Sequence, residues 1–287
     1  MQLPIFLFSL ILLPLSLNTL AQTVVIQGNE RSDYFVDTLK QALSYSPNKN
    51  YQLKFYSKDL PKARVFKNII TNGGINIVAA GATTDREKIL QPIWFPIVKG
   101  LFGWRIPLVN KEKSDLFLHK LSTEAFKKLT VGQLHSWSDT KVLESNNLRV
   151  EKGSNFQGLF QMLAANRFDY FPRSILEVQQ DFDNHKSLNI TIDKNILLHY
   201  PTAYFFYVNK SNKALADDVT YGLEQSIKDG SFERLFMHYF GDIVSRTVSE
   251  NRRVYHLNNP FLPINTPLHR KELWLDLTKN EEVYQFD

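Results

Sequence analysis

The chain has 287 residues, with 34 lysines and arginines, 29 aspartates and glutamates, a formal net charge of +5 and no cysteine. The missing cysteine excludes disulfides, thiolate catalysis, cysteine-bound zinc and a lipidated cysteine tether. The basic residues are scattered among acids instead of massed in a stripe, which argues against a nucleic-acid partner and suits an acidic small ligand.

Residues 1–21 hold no charged side chain and end with small residues at Thr19 and Ala21. They predict a secretory signal cleaved before Gln22, with delivery to the periplasm in a Gram-negative host. A retained membrane anchor is the rival; Pro14 and the short apolar run weigh against it. Next, TVVIQG (23–28) predicts a strand, and DYFVDTLKQALSY a helix on the spacing of Phe35, Val36, Leu39, Ala42 and Leu43. YQLKFYS predicts a strand, ARVFKNIITNGG a helix, and INIVAAG (75–81) a strand apolar enough for burial on both faces. This β-α-β-α-β order implies an α/β lobe around a mainly parallel sheet.

WRIPLV (104–109) and AYFFYV (203–208) are two further strands. The stretch between them repeats the alternation as LTVGQL, SDTKVLESN, LRVEK, NFQGLFQMLAANR, FDYF and SILEVQQDFDN. Two helices broken at Asp229-Gly230 follow. The expected organisation is α/β with two lobes, each a mainly parallel sheet flanked by helices, joined by two crossing strands. Lobe 1 takes 22–108 and 202–287, and lobe 2 takes 109–201. From about 242 the tail is rich in proline and asparagine. It is expected to wrap irregularly on lobe 1, with Leu262, Leu268 and Trp274 packed on the body.

Catalytic signatures are scarce: there is no G-x-S-x-G, H-E-x-x-H or G-x-x-x-x-G-K-[ST] motif. The histidines stand apart in sequence, so neither a metal site nor a cofactor is expected. GSNFQG (153–158) lacks the phosphate-loop lysine and predicts a turn and helix start. Ligands in parallel α/β sheets bind at the carboxyl ends of strands, where loops meet helix starts. Residues 82–87, ATTDRE, occupy such an end. Arg86 either offers a planar fork to a carboxylate, helped by a threonine hydroxyl, or pairs with Asp85 or Glu87 on the surface.

HSWSDT (135–140) is the corresponding end in the insert, where Ser136 or Ser138 caps the next helix and Trp137 can stack on a ligand. DYFPRS (169–174) is the third, with Arg173 reaching the cleft or lying solvated on the lobe. Trp94 belongs either to core packing or to the pocket wall.

The exported two-lobe layout, AGATTDREKILQPIWFPI, the WRIPLV crossover and the closing DGSFERLFMHYFG resemble bacterial extracellular solute-binding proteins of family 3. These are the amino-acid-type members of the type II periplasmic binding fold, and the resemblance spans roughly residues 24–241. The stretch from HSWSDT to SILEV is similar to a subgroup whose members mostly have no assigned ligand. The resemblance implies that Arg86 clamps a ligand α-carboxylate with Thr83 or Thr84, and that the helix start at Ser136 also touches it. The family usually places an aspartate for the α-ammonium after the strand matching RFDYF; here Arg173 or Ser174 stands there. A second anionic group is then expected in place of an ammonium, as in a dicarboxylate or acidic peptide-like molecule.

The expected function is capture of a small carboxylate-bearing ligand, amino-acid-like or dicarboxylate, with lobe closure about the crossing strands and an ABC-type membrane permease as partner. Two alternatives remain. One is a periplasmic sensory module read by a receptor or kinase. The other is a cleft enzyme such as a dehydratase, with Glu177 and His135 as nominees for general acid.

Overall fold

The computed structural model describes residues 21–28, 33–47, 50–278 and the backbone of 283–285. The predicted signal at 1–21 lies, except for Ala21, outside the described residues. The chain opens with β1 (Gln22–Gln27), α1 (Tyr34–Ser44), β2 (Tyr51–Tyr56), α2 (Lys62–Ile70) and β3 (Ile77–Gly81). The start of α1 is fixed by Asp33, an extended residue whose carboxylate accepts from the Val36 N–H. Its buried face carries Leu39, Ala42 and Leu43, as the spacing predicts. A short helix, α3 (Thr84–Ile89), and a two-residue strand, β4 (Gln91–Pro92), precede the first crossing.

The second part begins with β5 (Trp104–Asn110), every residue of which is buried. There follow α4 (Thr123–Lys128), β6 (Thr130–Leu134), α5 (Ser138–Ser145), β7 (Arg149–Gly153), α6 (Phe156–Ala164), β8 (Tyr170–Ser174) and α7 (Val178–Asn184). Two strands the sequence did not signal, β9 (Ile190–Ile192) and β10 (Ile196–His199), complete this part. Asn155 caps α6 by accepting from the Gly158 N–H at 2.7 Å, so GSNFQG is the expected helix start.

The strand expected to end at Phe171 runs on to Ser174. Proline normally interrupts a ladder because it has no N–H. Here Pro172 lies opposite Pro107 of β5, so the donors missing from both strands fall at one level.

Returning through β11 (Tyr204–Val208), the chain forms α8 (Lys213–Lys228) and α9 (Ser231–Ser249). Gly230, at φ 74°, makes the break between them. The first sheet has the order β2-β1-β3-β11-β4, with β1 parallel to β2 and β3, and β11 antiparallel. The second sheet centres on β10-β5-β8-β6-β7 and is more mixed than expected, because β5 runs antiparallel to β8, β9 and β10. At the crossing Gly103 lies against Tyr200, where an added Cβ would sit 2.1 Å from the Tyr200 carbonyl oxygen.

The tail departs from the irregular wrap expected on lobe 1. It forms β12 (Arg253–His256), which joins the second sheet parallel to β10, and β13 (Val283–Gln285), which pairs with β12. Arg252 anchors this entry: it is buried, and its guanidinium donates to the Asp193 carbonyl and pairs with Glu250 at 2.9 Å. Between the two strands, Leu262, Leu273 and Trp274 pack against the first sheet. Leu268, expected on the body, is 51% exposed.

Candidate functional site

A cleft of about 840 Å³ opens between the two sheets. Thr83, the cap of α3, and Thr84 and Arg86 in its first turn face it, Ser136 and Trp137 come from the residues leading into α5, and the end of β8 brings Arg173. Six of the eight residues singled out in sequence therefore meet in one cavity. The other two do not line it. Trp94 packs into the core of the first sheet, edge-on to Phe205 at 5.4 Å. Ser174 is fully buried, and its hydroxyl accepts from the Leu176 N–H.

Arg86 is a half-buried cation with no carboxylate beside it. Asp85 is taken by Lys88 at 2.9 Å, and among the described residues Arg86 makes no ion pair, so the surface-pair alternative is not what forms. The guanidinium lies 4.7 Å from the ring of Phe66 and 5.6 Å from that of Tyr207, with Nε and Nη1 buried and without partners. Burial lowers its pKa, opposed by Tyr207 and Tyr204. A desolvated cation without a counter-charge is costly, and an anion arriving from the cleft would relieve it. The Thr83 hydroxyl accepts from the Arg86 N–H at 3.1 Å and so caps α3. Its own proton stays free for donation.

Across the cleft, neither Ser136 nor Ser138 caps α5: the cap position falls on Trp137, and no side chain accepts from the helix start. The first N–H groups of α5 thus have no side-chain partner at the cleft, the arrangement that favours an anion.

Arg173 differs from Arg86 in every respect that matters for charge. It pairs with Asp181 at 2.6 Å and Glu177 at 3.0 Å and is enclosed by the rings of Trp137, Phe156 and Phe171 at 4.9–5.3 Å. Two carboxylates answer its charge, which corrects the expectation that it delivers a free cation to the ligand. Trp137 lines the cleft while covering this guanidinium.

Several lining residues escaped the sequence reading. Arg105 of β5 lies in the wall, buried, and pairs with Asp139 at 2.9 Å; Tyr200 donates to the same carboxylate oxygen at 2.8 Å. Burial opposes the charge of Arg105, but Asp139 and the neighbouring Tyr200, Glu177 and Tyr204 outweigh it and raise its pKa. An arginine inside a continuous apolar strand was the available signal. Lys62, at the start of α2, and Asn259 and Phe261, from the tail, gave none. His135 and Glu177 also line the cleft, but the His135 Nδ1 is held by the Gly153 carbonyl at 3.1 Å and Glu177 by Arg173.

No family model matches the chain, and no curated protein matches it. Solved structures do. YtmK of Bacillus subtilis, a probable amino-acid ABC transporter extracellular-binding protein, is 18% identical with a TM-score of 0.56, over 77% of this chain and 99% of that one. A Streptococcus mutans structure, solved for glutathione import via GshT and the cystine ABC importer TcyBC, is 12% identical with a TM-score of 0.50, over 77% and 96% of the two chains. At these identities the likeness defines the fold: two sheets flanked by helices, arranged as in type II periplasmic binding proteins.

Proposed function

We propose that this chain is an exported solute-binding protein that holds a small carboxylate-bearing ligand, amino-acid-like or dicarboxylate, between its two sheets. The observation that carries the reading is Arg86: a cation with two buried, unpartnered nitrogens facing a cleft whose far wall is an uncapped helix start. A carboxylate placed there accepts from the guanidinium, from the Thr83 hydroxyl and from the first N–H groups of α5. The similarity to YtmK and the presence of a predicted signal favour delivery to an ABC-type permease from the periplasm or cell exterior. Among the described residues no helix is long and apolar enough to cross a membrane, and none carries a cluster of three metal-ligating side chains. Capture without turnover is favoured over cleft catalysis because, of the two nominated acids, Glu177 is committed to Arg173 and the His135 Nδ1 to the Gly153 carbonyl.

Thermal unfolding against a panel of amino acids, dicarboxylates and short peptides tests this. A ligand at 100 times its dissociation constant should add about 2.7 kcal/mol of stability. Arg86→Met should abolish the shift. A ligand bound equally well by that variant would remove Arg86 from the site. Conversion of the bound compound by the purified protein would replace capture with catalysis.

A further inference from the structure

The cleft holds a second cation that the carboxylate clamp leaves unanswered. Lys62 is the first residue of α2 and lines both the main cleft and an adjoining cavity of about 290 Å³ walled by Asp33, Phe35, Leu60, Val65 and Tyr204. Its Nζ lies 5.8 Å from the centre of the Tyr204 ring. Among the described residues no carboxylate pairs with it. The acid in the adjoining cavity, Asp33, already accepts from the Val36 N–H at 2.8 Å as the cap of α1. No side chain caps α2 itself, so free N–H groups lie beside the ammonium.

We infer that the ligand carries two carboxylates, with Arg86 binding one and Lys62 the other. This rests on the carboxylate-capture reading above and adds the identity of the second group. Two like charges on one wall of a half-buried cleft raise each other's cost. The pKa of Lys62 is pushed down by burial first and by Arg86 second, as expected for an ammonium held near a guanidinium with no anion between them. One carboxylate neutralises Arg86 and leaves the Lys62 ammonium at the cleft without a counter-charge; two carboxylates answer both. The adjoining cavity gives the second arm of such a ligand a place to lie, against the rings of Phe35 and Tyr204. Anion preference thus comes from Lys62, at the start of α2, and not from Arg173, whose charge is satisfied by Glu177 and Asp181 at α7.

Calorimetric titration with matched pairs tests the inference: succinate against succinamate, and L-glutamate against L-glutamine. Each pair differs by one negative charge at nearly constant size. The member with two carboxylates should bind at least about tenfold tighter, the ratio given by a charge-assisted contact of about 1.4 kcal/mol. Lys62→Met should collapse the members of each pair to one affinity. A second readout needs no variant: bound dicarboxylate should shield Lys62 from reductive methylation, read by mass spectrometry, while the monocarboxylates should not. Equal affinities within each pair, with Lys62 methylated equally in every complex, would overturn the second group and leave single-carboxylate capture intact. Failure of all four acids to bind at millimolar concentration, in the wild type as in Arg86→Met, would remove both readings together.

Discussion

Among the arginines that line the cleft, Arg86 and Arg173 have surroundings that assign them opposite duties. Arg173 is 5% exposed and bonded to Asp181, itself 8% exposed. Removing one partner of a buried pair strands the other charge, which costs about 3–5 kcal/mol. Arg173→Met should therefore lower unfolding stability by roughly 3 kcal/mol. Arg86 has nothing to strand: its buried nitrogens are without partners. Arg86→Met should leave stability within about 1 kcal/mol of the parent while abolishing ligand binding. Urea denaturation of both variants decides the matter, and equal losses would contradict the division of roles. Arg86 was legible in the sequence because strand-end position follows from topology, and topology from apolar periodicity. Lys62 was not legible, since a lysine at a helix start resembles any solvated lysine until the fold brings α2 to the cleft. The state of Arg173 was equally hidden: its neutralisation depends on Asp181 lying one helical turn beyond Glu177, with the rings of Trp137 and Phe156 over the guanidinium.

At the scale of elements, the tail strand β12 holds its place in the second sheet partly through two histidines. His199 of β10 and His256 of β12 are cross-strand partners with their Nδ1 atoms 2.9 Å apart, and Trp104 of β5 stacks on His199 at 4.0 Å. A contact between two Nδ1 atoms needs one of them to donate and the other to accept, which two neutral rings satisfy and two imidazolium rings do not. Burial, then His256, lowers the pKa of His199 to about 3, with Asp276 opposing. Burial also lowers that of His256, again against Asp276. An unfolded histidine takes up its proton at about pH 6.5, so between there and about pH 3 the unfolded chain binds more protons. Stability is then full above neutral pH and falls as the pH drops through that window. His199 alone should account for about 2 kcal/mol of loss between pH 7 and pH 5. Replacing both histidines with leucine should flatten the slope by at least that amount in denaturation curves taken at the two pH values, and an unchanged slope would show that the pair takes up protons as readily in the folded chain as in the unfolded one. None of this was visible in the sequence. β12 has only four residues and sits among prolines and asparagines, and a parallel partner 57 residues away leaves no local periodicity to detect. Elements longer than this, such as α1 and the α8–α9 pair, were legible because apolar spacing and a glycine break are local signals.

At the scale of the whole molecule, the two connections expected at the hinge are supplemented by others. The helix α9 starts with Phe232 in the core of the first sheet and carries Phe236 and Val244 into the core of the second. The tail then enters the second sheet as β12, returns to the first through Leu262 and Leu273, and reaches the second again at β13. On the way the Leu275 N–H donates to the Lys99 carbonyl, and Trp104 Nε1 donates to the Leu275 carbonyl. One hydrophobic cluster runs from Tyr34 of α1 through Val98 and Leu101 to Phe160 and Val254 of the second part. Hinge closure needs a few residues that absorb rotation while little else crosses. Here, opening would have to tear a packed core whose contacts do not deform continuously. The cleft should therefore accept its ligand with the two sheets nearly fixed, the unpaired Arg86 being held ready instead of assembled by closure. The absence of cysteine makes the test direct, because Lys58→Cys and Lys128→Cys in one chain give a unique pair of spin-label sites on exposed positions of the two parts. The distance between the labels should be a single narrow distribution that does not move when a saturating ligand is added. A ligand-dependent shift of several ångströms would show that the α9 and tail crossings yield, and would restore closure about the crossing strands as the way the site works.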